Sequence, residues 1–136
     1  MMKKLLIVDD ETEILAFLKE FFEDRGYSVT TAASSDEARQ ALELEKPLVA
    51  LLDIKMKTNE DGLELLRWIK EKSPKVKVIM VTSLEHQEIV EKAKSLGADD
   101  YITKPLELQY LETSVSEKVD ALMKDHAHQS EKKGEQ

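Results

Sequence analysis

Short apolar runs alternate with longer amphipathic stretches along almost the whole chain. Leu5 to Val8, Leu48 to Leu52 and Val76 to Val81 are compact and rich in leucine or β-branched residues, which predicts strands buried on both faces. Tyr27 to Thr31 and Asp99 to Thr103 predict two shorter strands. Between these runs the apolar positions fall at helical spacing. Ile14, Leu15, Leu18, Phe21 and Phe22 predict a helix from Glu11 to Arg25, with its N-cap among Asp10 to Thr12 and Gly26 at its end. Ser34 to Glu45 predicts a second, capped by Ser34 or Ser35 with Glu37 or Ala38 near the third helical position, and closed by Pro47. Leu63, Leu65, Leu66, Trp68 and Ile69 mark a third that must end before Pro74, because the residue preceding a proline avoids the helical region. A fourth follows Ser83, with Ile89, Val90, Ala93 and Leu96 on one face and Gly97 at its end. Leu108, Leu111, Val115, Val119 and Leu122 then keep a helical period that fades into the polar segment DHAHQSEKKGEQ.

Five strands alternating with five helices imply an α/β fold, a parallel sheet covered on both faces. Right-handed crossovers leave few topologies, and in open doubly wound sheets ligands bind at the carboxyl ends of the strands, where the strand order reverses. The residues at those ends are polar or charged: Asp9 and Asp10 after the first strand, Asp53 after the third, Thr82 after the fourth and Lys104 just past the fifth. In the order 2-1-3-4-5 the first and third strands are neighbours, and Asp9, Asp10 and Asp53 share one crevice.

At 136 residues with 41% apolar, the chain can bury one core. Residues 1–123 are expected to form one domain, and 124–136 a polar, disordered tail. Lys and Arg total 20 against 28 Asp and Glu, a net charge of -8, which argues against direct binding to nucleic-acid phosphates. The absence of cysteine excludes disulfides, thiolate metal sites and cysteine nucleophiles. No apolar run approaches the roughly 18 residues of a membrane span. The start MMKKLLIVDD loses its apolar character too soon for a signal peptide, so a cytoplasmic location is expected.

Three carboxylates in one crevice cannot all stay charged without compensation. The natural compensation is a hard divalent cation with oxygen ligands, most simply Mg²⁺. Lys104 supplies positive charge from the other side. Acidic residues at strand ends are also common as helix caps, and Asp10 or Glu11 could simply favour the positive end of the first helix. Capping does not account for the whole set of Asp-Asp, Asp, Thr-Ser and Lys-Pro at successive strand ends.

These residues resemble the receiver domains of two-component response regulators over roughly Lys3 to Leu122. The motifs that carry the resemblance are LLIVDDE at Leu5 to Glu11, LLDIKM at Leu51 to Met56, DGLELL at Asp61 to Leu66, VIMVTS at Val78 to Ser83, and GADDYITKP at Gly97 to Pro105. The resemblance implies the flavodoxin-like sheet order 2-1-3-4-5 with five helices. It implies that Asp53 is a phosphoacceptor, taking a phosphoryl group from phosphohistidine of a sensor histidine kinase or phosphotransfer protein. Mg²⁺ would be held by Asp10, Asp53, the backbone carbonyl of Lys55 and, through water, Asp9, with Lys104 pairing a further phosphoryl oxygen. Thr82 resembles the switch hydroxyl and Tyr101 the aromatic that moves inward, which together change the surface of the fourth helix, fifth strand and fifth helix. Ser83, small and adjacent, suits close approach of a phosphoryl group. The domain would be a self-phosphorylating acceptor, not a turnover enzyme on an external substrate.

The sequence departs from the family pattern where Lys57 replaces a proline after Met56, in a stretch one residue longer than usual, which bears on the Lys55 carbonyl. Lys55 and Leu84 occupy places that tune phosphoryl lifetime in the family; neither can position an attacking water, so slow autodephosphorylation is expected. The competing readings are a receiver-like protein-binding module that accepts no phosphate, a dehalogenase-type phosphatase and a nucleotide- or flavin-binding domain. The second needs Asp-x-Asp where the chain has Asp9, Asp10, Glu11, and the third needs a glycine-rich turn that Gly26, Gly62, Gly97 and Gly134 do not form. Trp68 reads as packing with some rim exposure, and the pair His126 and His128 as a solvated tail segment. Downstream, the partner is unknown. The chain resembles a stand-alone receiver or a piece of a longer regulator, and the apolar stripe of the last helix allows a phosphorylation-dependent homodimer.

Overall fold

A computed structural model of the chain describes residues 3–54, 61–83 and 87–134, with Gln87 and 126–134 as backbone only. Five parallel strands, β1 (Lys4–Val8), β2 (Ser28–Ala32), β3 (Val49–Asp53), β4 (Lys77–Thr82) and β5 (Asp100–Thr103), form one sheet in the order β2-β1-β3-β4-β5. The helices are α1 (Thr12–Glu23), α2 (Ser35–Glu45), α3 (Asp61–Lys72), α4 (Gln87–Ser95) and α5, which runs through Leu108–Tyr110, a π-helical segment Leu111–Val115, and Ser116–Gly134. The predicted α/β architecture and strand order are those observed.

The strands read as unbroken apolar runs because each has two faces to bury. In β1, Leu5 and Ile7 pack toward α1 and α5, while Leu6 and Val8 pack toward α2, α3 and α4; β3 and β4 divide their residues in the same alternation. Phe22 of α1 and Leu111, Val115 and Val119 of α5 are completely buried on the first side, Leu65, Leu66 and Ile69 of α3 on the second. Trp68 is half-buried against the second cluster, with the Arg39 guanidinium 5.8 Å from its ring centroid. Core packing thus consumes Leu111, Val115 and Val119 of the stripe on α5, leaving Leu108 exposed. The helical backbone continues to Gly134, through the segment expected as a tail and past the point where the apolar period ends.

The ends of α1, α2 and α4 follow the predicted chemistry, with one exception among them. Gly26 (φ +92°) and Gly97 (φ +101°) occupy the left-handed position after α1 and α4, where a side chain is strained. In each case the glycine N–H and the next one bond back into the last turn: Gly26 to Glu23 and Tyr27 to Phe22, Gly97 to Lys94 and Ala98 to Ala93. Ser34 is the cap of α2. Its Oγ accepts the Glu37 N–H at 3.2 Å, while Glu37 reaches back to the Ala33 N–H at 2.6 Å. The exception is α1, whose cap position, Glu11, makes no side-chain cap bond; Asp9 accepts the Glu11 N–H instead, at 2.9 Å.

Candidate phosphoacceptor site

The carboxyl edge of the sheet is held by backbone bonds that extend the ladders past the strand ends. Asp9 N–H bonds to Ala32 O, Ile54 N–H to Val81 O, and Lys104 N–H to Thr82 O at 3.1, 3.0 and 2.7 Å. Asp9, Asp53 and Lys104 are therefore fixed to the rigid part of the molecule. Asp9 is 3% and Asp53 4% exposed, while Asp10 faces solvent. Asp9, Asp10 and Asp53 each present a carboxylate oxygen within 4.8 Å of the others. The Lys104 Nζ lies 3.0 Å from Asp53 Oδ2 and 3.5 Å from Asp9 Oδ2. The peptide between Lys104 and Pro105 is cis.

In ionised form, three carboxylates face one ammonium in this group, and a doubly charged cation would bring the four to neutrality. The donors are all oxygen, which fits a hard ion such as Mg²⁺. At the opposite edge of the sheet, by contrast, Asp99 takes 2.8 Å bonds from Lys70 and the Val78 N–H and has Lys77 at 3.9 Å, a carboxylate whose partners among the described residues are all structural. Burial alone would lower the pKa of the Lys104 ammonium. The hydrogen bond and charge of Asp53, with the charges of Asp9 and Glu11, outweigh burial and hold it above the usual lysine value.

Thr82, 5% exposed, ends β4 beside this group, and its hydroxyl donates to Ser83 O at 3.2 Å. A cavity of about 90 Å³ separates it from Tyr101, with Val90 and Lys94 in its wall. The Tyr101 side chain points outward on β5. A more apolar groove of about 410 Å³, lined by Glu11, Ile14, Phe17, Pro105 and Leu106, opens on the other flank and reaches Lys104. Lys55, Lys57 and Leu84 lie outside the described residues, as do the side chains of His126 and His128.

The family model described as the response regulator receiver domain matches residues 5–116. The chain belongs to that family. This receiver domain is similar to the sporulation initiation phosphotransferase F of Bacillus subtilis, 32% identical over 115 residues that cover 85% of this chain and 92% of that protein. It is also similar to the alkaline phosphatase synthesis transcriptional regulatory protein PhoP of Bacillus subtilis, 37% identical over 105 residues, 77% of this chain but 43% of PhoP. The chain thus spans less than half of that relative and nearly all of the other. Among solved structures, the CheY-like response regulator receiver domain protein from Methanospirillum hungatei JF-1 superposes with a TM-score of 0.80 at 38% identity, covering 92% of this chain and 99% of that one.

Five residues singled out from the sequence, Asp9, Asp10, Asp53, Lys104 and Thr82, meet at the edge of this receiver domain, with Tyr101 across the cavity. Gly62 was legible only as part of DGLELL, with no role of its own. Its N–H bonds to Ile54 O at 3.2 Å, and a Cβ there would lie 2.4 Å from the Asp53 carbonyl oxygen, so the first turn of α3 rests directly on the backbone that carries Asp53. A glycine in the first turn of a helix that follows a functional strand end is the signal that would have marked it.

Proposed function

We propose that the receiver domain accepts a phosphoryl group on Asp53 from phosphohistidine of a sensor histidine kinase or phosphotransfer protein. The observation that carries this reading is a nearly buried carboxylate gripped by an ammonium at 3.0 Å, with two further carboxylates within 4.8 Å. An Asp53 oxygen attacks phosphorus, the P–N bond breaks, and its electron pair stays on the imidazole nitrogen. Lys104, already charged and in place, moves with little reorganisation from the carboxylate to a phosphoryl oxygen. Asp9 and Asp10, with Asp53, would hold Mg²⁺, which when bound supplies positive charge beside the phosphoryl oxygens. Asp9 also ties the start of α1 through the Glu11 N–H, so its orientation is fixed before any donor arrives.

The Thr82 hydroxyl then exchanges its bond to Ser83 O for the new phosphoryl group. Tyr101 swings toward the 90 Å³ cavity between them, and the surface of α4, β5 and α5 changes for a downstream protein. The domain acts as an acceptor consumed once per cycle and not as an enzyme on an external substrate. Hydrolysis is slow, because the residue types at Lys55 and Leu84 cannot position water. A phosphoryl half-life of seconds in Mg²⁺ at neutral pH would overturn that point.

The test is the intact mass of the protein after incubation with acetyl phosphate and Mg²⁺. One added phosphoryl group, absent with a chelator, supports the proposal. No addition to folded protein, beside a receiver that is modified in the same buffer, refutes it and favours a domain that only binds partners.

A further inference from the structure

Tyr101 is 38% exposed, yet its ring is not free in solvent. The Lys94 Nζ of α4 lies 5.0 Å from the ring centroid and the Lys118 Nζ of α5 lies 5.5 Å from it. Both are inside the roughly 6 Å within which an ammonium is attracted to an aromatic face. Lys118 does more. It donates to the Tyr101 carbonyl at 2.9 Å and to Asp100 Oδ1 at 3.0 Å, and the same Asp100 oxygen accepts the Tyr101 N–H at 2.8 Å. β5 is an edge strand, so the outward N–H and C=O of Tyr101 have no strand to pair with; Asp100 and Lys118 satisfy them. The backbone at Tyr101 is thereby pinned, and the ring is gripped from both neighbouring helices. Lys94 also pairs with Glu91 at 3.5 Å, a solvent-exposed pair on the same helix that leaves the contact with the ring in place.

A ring turned into the cavity beside Thr82 would give up the Lys118 contact, whereas Lys94 lines that cavity and borders the ring in either position. From this geometry we infer that Lys118 is a positioning residue that holds Tyr101 outward and so sets how rarely the unphosphorylated domain visits the inward state. The inference rests on the Thr82 and Tyr101 switch proposed above and adds what opposes it. One exposed cation–π contact corresponds to about a 2- to 5-fold bias between the two ring positions. Phosphorylation must outweigh that bias, and removing it moves the population inward with no phosphoryl group present.

The experiment is ¹⁹F NMR of the whole chain labelled with 3-fluorotyrosine, whose 3 tyrosines are assigned by Tyr→Phe replacement. The Lys118→Met variant is compared with Lys118→Arg, which keeps the charge, and with Lys94→Met, which removes an ammonium that borders both ring positions. In unphosphorylated Lys118→Met the Tyr101 signal should move toward the position it takes in the phosphorylated wild type, with the inward-to-outward ratio raised about 2- to 5-fold. Lys118→Arg and Lys94→Met should stay near wild type. Should Lys118→Met fail to fold, Lys118→Gln, which keeps a donor for the Tyr101 carbonyl but no charge, decides in its place. A Tyr101 signal in the uncharged Lys118 variant that coincides with wild type, or one in Lys118→Arg that moves as far, overturns the inference. A wild-type signal unmoved by phosphorylation overturns the switch itself, a result separable from the other two.

Discussion

Replacing Gly62 by Ala sets two known effects against each other. Alanine is favoured over glycine in a helix by about 1 kcal/mol, of which the first turn realises only part. Against this, the new Cβ would sit 2.4 Å from the Asp53 carbonyl oxygen, 2.6 Å from Ile54 Cα and 2.8 Å from the Ile54 oxygen. All three are backbone atoms, so no side-chain rotation relieves the overlap. Overpacking of this kind costs about 1–3 kcal/mol, and separating α3 from β3 also stretches the Gly62 N–H bond to Ile54 O, a further 1 kcal/mol or so. The steric terms win. Gly62→Ala should lose about 2 kcal/mol, a fall of roughly 1 M in the urea midpoint at an m-value near 2 kcal/mol/M. Trp68, the only tryptophan and half-buried in the same helix, gives the fluorescence signal. The strain falls on the strand end that aims Asp53, and a misplacement of about 1 Å costs on the order of 100-fold in rate. Phosphorylation by acetyl phosphate should therefore slow by about that factor under conditions where the variant is folded. A Gly62→Ala protein with an unchanged or raised urea midpoint and wild-type phosphorylation kinetics would refute the reasoning.

Three further outcomes are expected. Lys104→Met should slow phosphorylation by about 10²- to 10³-fold, the usual effect of removing one preorganised charge; a wild-type rate measured by mass would show that Lys104 only packs. Tyr27 donates its hydroxyl to Asp120 of α5, and burial, then that hydrogen bond, then the Asp120 charge raise its pKa, against a smaller opposing effect of Arg25. Because the folded value is raised, this contribution is complete below the unfolded value of 10.0 and is lost as pH rises above it. Tyr27→Phe should cost about 1 kcal/mol at pH 7 and show a shallower alkaline loss in urea titrations than wild type; parallel alkaline limbs would exclude the tyrosine as their source. Phe17, 42% exposed in the groove that runs to Lys104, should matter only to a protein donor. Phe17→Ala should slow transfer from a phosphohistidine protein by about 10-fold and leave acetyl phosphate unaffected, the effect of truncating an aromatic that anchors an interface at a cost of about 1–2 kcal/mol; equal slowing with both donors would point to damage at the site.

Much of this arrangement is legible in the sequence because parallel strands make it so. A continuous apolar run must be buried on both faces, and right-handed crossovers bring every strand's carboxyl end to one edge. Asp9, Asp53 and Thr82 could thus be placed together without knowing any distance. Local caps were equally readable: Gly26, Gly97 and Ser34 sit where their backbone demands require. What resisted reading depends on contacts between remote parts of the chain. The Tyr27 hydroxyl meets an aspartate on the last helix, and nothing in either neighbourhood announces the pairing. The requirement for glycine at position 62 comes from the approach of another backbone, and the role of Lys118 arises only once α5 flanks β5. The π-helical segment at Leu111–Val115 has no counterpart in the apolar spacing from which the helix was predicted.

The central claim is that one carboxylate of three, Asp53, receives the phosphoryl group. The most direct measurement is to phosphorylate the protein with acetyl phosphate and Mg²⁺, reduce the acyl phosphate with borohydride, and map the modified residue by peptide mass spectrometry. Reduction confined to Asp53, and abolished in Asp53→Asn, is the predicted result. Modification at Asp9 or Asp10 in the wild type, or undiminished labelling of the Asp53→Asn protein, would contradict the account.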